Sequence, residues 1–235
     1  MSDIEGRVAL ITGASRGLGA AIARALDERG AKLALASRSG EDVGLDGAVA
    51  APCDVRDPAQ IESLVAAAVE RFGGLDIVVA NAGVGGYGDF LDLDPEFAQE
   101  IIDVNVNGLL NTVRATLRLL FESDAAELAV IASIAGQRAP EGEAVYAMAK
   151  HAQVGFMRSL DHELWSRGVR CSTICPGGIA TDFAIGHGRT PDDPDLANFM
   201  SAEEVAETVV YALERPRTQR VLEMNVLPMA EDSMG

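Results

Sequence analysis

Arg7-Val-Ala-Leu-Ile-Thr12-Gly13-Ala-Ser15-Arg16-Gly17-Leu18-Gly19 reads as an apolar strand, Arg7–Thr12, that turns on glycines into a helix over about Gly17–Arg29. Small residues in such a turn let the backbone approach a pyrophosphate, and the helix N-terminus adds N–H donors and a positive dipole end. The spacing is Gly-x3-Gly-x-Gly, not the commoner G-x-G-x-x-G. A glycine turn alone serves any tight connection; the strand–turn–helix context points to a dinucleotide, held by Gly13, Ser15, Arg16, Gly17, Leu18 and Gly19.

From this turn outward, apolar runs alternate with helical patterns. Further strands are predicted at Lys32–Ser37, Ala48–Pro52, Leu75–Ala80, Leu128–Ser133, Val169–Cys175 and Arg220–Leu227. The segment Gly40–Gly47 is too short and too rich in Gly, Asp and Glu for a full crossover helix. Asp57-Pro58-Ala-Gln60 caps a helix running to Phe72, and Asp94-Pro95 opens one long helix ending near Phe121. The helix from Tyr146 runs to about Arg167, and Ser201-Ala-Glu-Glu204 is a capping box for a helix to Glu214. The fold class is α/β: a single Rossmann-like doubly wound domain over residues 1–235, with a seven-stranded parallel sheet flanked by helices.

Composition narrows the function. A length of 235 residues suits one α/β domain. Apolar residues make up 48 %, with no charge-free run long enough to span a bilayer. The polar start Met1–Arg7 lacks a basic stretch followed by an apolar one, so a signal peptide is not expected. Cys53, Cys171 and Cys175 are odd in number, lack metal-ligand spacing and read as small buried hydrophobes. These features predict a cytoplasmic protein without a metal. The net charge of −17 argues against nucleic acid or an anionic membrane as partner. Arginines number 17 and lysines two; a GC-rich genome explains that ratio, an acidic surface suited to high salt explains the acid excess, and both readings stand.

Tyr146-Ala-Met-Ala-Lys150 joins two of the scarcest residue types, three tyrosines and two lysines in 235 residues. Chance supplies only about 0.03 such pairs in this composition. On a helix, positions i and i+4 share a face, so phenol and ammonium can enter one pocket. A nearby cation favours phenolate and is expected to lower the tyrosine pKa, making a usable general acid/base. At the end of the second strand, Ser37-Arg38 stands where an acidic residue would favour NAD(H) and an arginine the 2′-phosphate of NADP(H). With Arg16 as a second clamp, NADP(H) is expected over NAD(H).

With Thr12-Gly-x-x-x-Gly-x-Gly19 and Tyr146-x-x-x-Lys150 in one chain, the sequence resembles the short-chain dehydrogenase/reductase family in its compact branch, over nearly its whole length. The resemblance puts Asp54 and Val55 near the adenine, Asn81-Ala82-Gly83 beside the cofactor, and Pro176, Gly177, Ile179 and Thr181 against the nicotinamide. It implies a catalytic Ser133, thirteen positions before Tyr146. Asn105, in Asn105-Val-Asn-Gly108, would anchor a water that links Lys150 to solvent. Ser133 would hold the substrate oxygen and Tyr146 would exchange its proton. Lys150 would lower the tyrosine pKa and hold the nicotinamide ribose. The implied activity is hydride transfer between NADP(H) and a carbonyl or secondary alcohol, as in carbonyl and 3-oxoacyl reductases. An NADP-binding redox sensor or scaffold without turnover is the alternative, and an epimerase or dehydratase is disfavoured by the glycine spacing. The family also implies a homodimer or homotetramer, built on the helices Pro95–Phe121 and Tyr146–Arg167 and on the last strand.

A short, acidic segment, Asp182–Met200, occupies the place of the substrate lid. Val84, Tyr87, Phe90, Ile134, Gln137, Phe183, Ile185, Phe199 and Met200 predict a modest apolar substrate pocket. Arg138 is the one basic exception. His187 is a possible substrate contact from the lid, whereas His151 and His162 match no motif.

Overall fold

The computed structural model describes residues 4–232; residues 1–3, part of the polar start, lie outside the described residues. Seven strands form one parallel sheet: β1 Val8–Thr12, β2 Lys32–Ser37, β3 Val49–Pro52, β4 Ile77–Ala80, β5 Glu127–Ile131, β6 Arg170–Pro176 and β7 Glu223–Val226. Their spatial order is β3-β2-β1-β4-β5-β6-β7. The order reverses between β1 and β4, and in open α/β sheets such a switch point is where ligands bind. Strands β1, β4, β5 and β6 are buried along their full length. Covered on both faces, β1 and β4 read as continuous apolar runs instead of alternating ones.

Helices α1 Gly17–Asp27 and α6 Ala202–Leu213 cover one face. There Ile22, Leu26, Val205, Val209 and Leu213 pack with Ile11 and Leu35. The other face carries α2 Pro58–Phe72, α4 Gly108–Leu120 and α5 Ala144–Leu164. Ile61, Leu64, Val113, Leu120, Met157 and Leu160 pack there on Leu10, Val78 and Val130. Burying each such side chain contributes about 1.5–3 kcal/mol. The caps form as predicted: Asp57 accepts from Ala59 N, and Ser201 with Glu204 closes a reciprocal capping box. No helix lies between β2 and β3, and the chain instead doubles back at Gly40, where a Cβ would fall 2.6 Å from Pro52 Cδ.

The helix predicted from Asp94 to Phe121 is not continuous. It divides into α3 Pro95–Ile102, a π turn Asp103–Asn107, and α4. The cause is local. Asn105 Nδ2 donates to Ile101 O at 2.8 Å and to Val84 O at 2.7 Å. A side-chain amide competing for a helix carbonyl widens the turn. Gly108 then lets the helix close on Val55, whose Cγ2 a Cβ would meet at 2.5 Å.

Three strand ends also differ from expectation by two residues or more; β4 begins only at Ile77 instead of Leu75. β5 stops at Ile131, because Ser133 instead caps a 3-10 turn, Ile134–Gly136, accepting from Ala135 N at 3.1 Å. β7 starts only at Glu223, because Arg220 is drawn away to Asp161 at 2.9 Å and Val221 O accepts from Ser172 Oγ. All three cysteines are free and buried. At the N-terminal ends of β5 and β6, Glu127 is 1 % exposed and accepts from Arg170 Nε at 2.7 Å and Arg217 Nη1 at 2.8 Å. Its carboxylate clamps the end of the sheet opposite the site.

Candidate active site

A cleft of about 910 Å³ runs past the C-terminal ends of the strands. The glycine turn forms one wall. Gly13 has φ +68° and a Cβ there would fall 2.9 Å from Ala82 Cα. At Gly19 a Cβ would collide with the Gly13 carbonyl oxygen. Only glycine keeps the turn this tight. Arg16 is the N-cap of α1 and no side chain caps that helix, so its first N–H groups are left for an anion in the cleft. Ser15, Arg16, Gly17 and Leu18 line this wall. Across from it, Thr181 Cγ2 would meet a Cβ on Gly17 at 3.4 Å.

Thr12 and Asn81 lock the turn to β4. Thr12 Oγ1 accepts from Asn81 N and Ala82 N, both at 3.0 Å, while Asn81 Nδ2 donates to Thr12 O at 2.9 Å. Asn81, Ala82 and Gly83 border the cleft, but the Asn81 amide is spent on the protein itself. The open helix end and the Cβ-free cradle fit a dinucleotide pyrophosphate.

At the far end Ser37, Arg38, Asp54 and Val55 line the cleft, as does Arg56, which the sequence did not single out. Arg56 Nε bonds both Asp54 oxygens at 3.0 Å and holds that carboxyl below its usual pKa. Arg38 is exposed, with Glu100 at 3.7 Å. Its guanidinium therefore reaches the cleft partly compensated.

Ser133, Tyr146 and Lys150 converge in the middle of the cleft, with Pro176, Gly177 and Ile179 bordering it on the β6 side. Tyr146 and Lys150 are 8 % and 3 % exposed. The Tyr146 ring packs against Gly85, where a Cβ would fall 2.7 Å from Cδ2, and against Phe183 at 5.7 Å between centroids. Lys150 Nζ donates to Ile131 O and Gln153 Oε1, both at 3.0 Å.

The expected lowering of the tyrosine pKa does not occur here. Burial pushes the Tyr146 phenol up, and its hydrogen bond with Ser133 opposes that only in part. Lys150 is itself pulled down to about 7 by burial. Desolvation outweighs charge pairing for both groups. Asn105 lies deeper than these groups. It is fully buried behind Lys150 and stands outside the cleft wall. Its main-chain carbonyl accepts from Gln153 Nε2 at 2.7 Å, so the link from Asn105 to Lys150 runs through a side chain. Asn105 Oδ1 is buried without a partner among the described residues.

On the substrate side, Val84, Tyr87, Ile134, Phe183 and Phe199 line the cleft as expected. Phe90, Gln137, Ile185 and Met200 do not. Phe90 is 66 % exposed, Gln137 is turned to Arg158 and Cys175, and Ile185 and Met200 are held in extended bridges to Arg189 and Ile179. Arg138 faces the cleft but pairs with Glu231, which also accepts from Gly178 N at 2.8 Å. His187 is stacked on Phe97 at 3.8 Å, away from the cleft wall. Arg189 was not anticipated: it is 8 % exposed, lies over the Tyr87 and Phe199 rings and donates to Tyr87 Oη at 3.2 Å. Arg189 and Glu231 sit in stretches without periodic or motif signal, so only the fold brings them to the site.

Known proteins are similar to this chain. The short chain dehydrogenase family profile matches residues 7–191. An uncharacterized oxidoreductase of Staphylococcus aureus is 34 % identical across 97 % of this chain and all of its own length. The oxidoreductase UcpA of Salmonella typhimurium is 38 % identical across 83 % of this chain and 78 % of its own. The alcohol dehydrogenase of Thermococcus sibiricus, solved with 5-hydroxy-NADP, superposes with a TM-score of 0.85 at 32 % identity, covering 97 % and 98 % of the two chains. A short chain dehydrogenase of Burkholderia cenocepacia in complex with NADP gives 0.84 at 28 %, covering 95 % and 97 %. Sheet order, glycine turn and relatives agree: the chain belongs to the short-chain dehydrogenase family of oxidoreductases.

Proposed function

We propose that the protein is an NADP(H)-dependent carbonyl reductase or alcohol dehydrogenase, acting as a single dinucleotide-binding domain on a small carbonyl or secondary alcohol. The observation that carries this reading is the convergence of Ser133, Tyr146 and Lys150 on the cleft that the glycine turn opens. The cofactor, when bound, supplies or accepts the hydride.

The chain's own residues do the rest. Ser133 and Tyr146 hydrogen-bond the substrate oxygen, stabilising the charge that develops there. Because burial keeps the phenol protonated, Tyr146 is in the state that donates a proton in the reductive direction. Lys150, from the same helix face, holds the ribose and biases the phenol by its charge. Phe183 and Gly85 confine the Tyr146 ring, so the acid is preorganised. Arg38 and Arg16 at the far end favour a 2′-phosphate, and two of the similar solved proteins hold NADP-type cofactors. We place the protein in the cytoplasm as a homodimer or homotetramer. Met148 and Trp165, exposed at 56 % and 55 % on and just after α5, support that assembly, which a monomeric mass in light scattering would contradict.

The test is NADPH oxidation against a panel of ketones, aldehydes and 3-oxoacyl thioesters. Turnover of a panel member is expected; tight NADPH binding with no turnover across the panel would instead favour a cofactor-binding sensor.

A further inference from the structure

Gln153 lies three residues beyond Lys150 on α5 and belongs to none of the motifs above. It is 3 % exposed and both ends of its carboxamide are engaged. Nε2 donates to the Asn105 main-chain carbonyl at 2.7 Å, and Oε1 accepts from Lys150 Nζ at 3.0 Å. That carbonyl lies in the π turn, where the ordinary helix ladder is interrupted. The contact with Asn105 decides which way the amide points, because the flipped orientation would set an NH2 against the ammonium and a carbonyl against a carbonyl.

We propose that Gln153 is a positioning residue that holds the Lys150 ammonium charged and aimed at the cleft, with the π turn at Asn105 fixing its carboxamide. An ammonium has three donors, and each needs an acceptor when buried. Ile131 O and Gln153 Oε1 supply two, leaving the third for the cleft. An apolar side chain at 153 would strip one acceptor from Lys150 and remove the amide donor from the Asn105 carbonyl at the same time. Few other groups bear on the ammonium. The Tyr146 ring lies 5.6 Å from Nζ, one turn earlier on α5, and Cys175 on β6 is a thiol that burial keeps protonated. Ile131 from β5 contributes only its carbonyl, and Asn105 is neutral. Burial already drags Lys150 down to about 7, so losing an acceptor takes its charge away in the working range.

The functional consequence rests on the reading above that Lys150 serves the reaction, but the test does not need turnover. The chain has two lysines, Lys150 and the exposed Lys32. In protein labelled with 13C-lysine, the two side-chain Cε resonances can be titrated separately by NMR in the cofactor-free state. Gln153→Leu should move the Lys150 midpoint down by about one pH unit, a tenfold change in its protonation constant. Gln153→Glu, which keeps the shape and adds a charge, should move it up. In NADPH oxidation the kcat profile of each variant should shift by the same amount and in the same direction. A merely structural residue would lower activity evenly across pH. An unchanged Lys150 midpoint in Gln153→Leu overturns the proposal, and so does a midpoint at or below wild type in Gln153→Glu, which decides the matter if the leucine variant does not fold. Wild-type protein without turnover would overturn the proposed reaction while leaving the NMR result to judge Gln153.

Discussion

Lys150 Nζ stands 5.6 Å from the centre of the Tyr146 ring, and its hydrogen bonds run to Ile131 O and Gln153 Oε1, not to the phenol oxygen. The two residues are therefore coupled by placement on one helix face and not by a direct hydrogen bond. A buried cation of this kind has a cost that depends on pH. Lys150 is lowered to about 7 in the folded chain, against about 10.4 in an unfolded one. Between those values the unfolded chain binds the extra proton, so stability rises with pH across the window, and below it the full penalty persists.

Lys150→Met should therefore gain stability relative to wild type most at and below about pH 7, with the gain shrinking toward pH 10. Urea midpoints of both proteins across that range provide the check. A difference that is flat or grows with pH would contradict the buried-cation account.

Glu127 makes a prediction remote from the cleft. It is buried with Arg170 at 6 % side-chain exposure, and Arg217 shares its oxygen. Glu127→Ala leaves the Arg170 guanidinium buried without its acid and should cost about 3–5 kcal/mol. Denaturant unfolding measures this, and a loss below about 1 kcal/mol would mean the cluster is worth no more than a surface pair.

The sheet and the glycine turn were legible because each follows from local pattern: strand, glycine turn, uncapped helix. Even the missing helix between β2 and β3 could be read from Gly40–Gly47. The break in the long helix was not legible, because it depends on Asn105 reaching Val84 O, 21 positions away. Tyr146 and Lys150 were legible because their spacing is local, whereas Ser133 came only with the family resemblance. Gln153, Arg189 and Glu231 were not legible, since their roles arise from partners that only folding brings near; Arg138 and Glu231 are 93 positions apart. The direction of the Tyr146 shift failed for the same reason, as burial has no sequence motif.

The proposed preference for NADP(H) rests on Arg38 and Arg16. Charge-assisted contacts of a guanidinium with a 2′-phosphate contribute about 1.5–3 kcal/mol each. Exposure of Arg38 and its pairing with Glu100 argue for the lower part of that range. NADPH should be favoured over NADH by roughly one to two orders of magnitude in kcat/KM. Arg38→Asp should reverse the order, and equal use of both cofactors by wild type would contradict the assignment.

The central claim is that Tyr146 delivers the proton in an NADPH-dependent reduction, and NADPH oxidation by wild type and Tyr146→Phe, with the same carbonyl substrate, tests it most directly. The ring contacts with Gly85 and Phe183 survive the change, so NADPH binding, followed by fluorescence, should be retained. The account predicts that kcat falls by more than about tenfold, a barrier rise above about 1.4 kcal/mol. A variant that keeps more than about a tenth of wild-type kcat would contradict it.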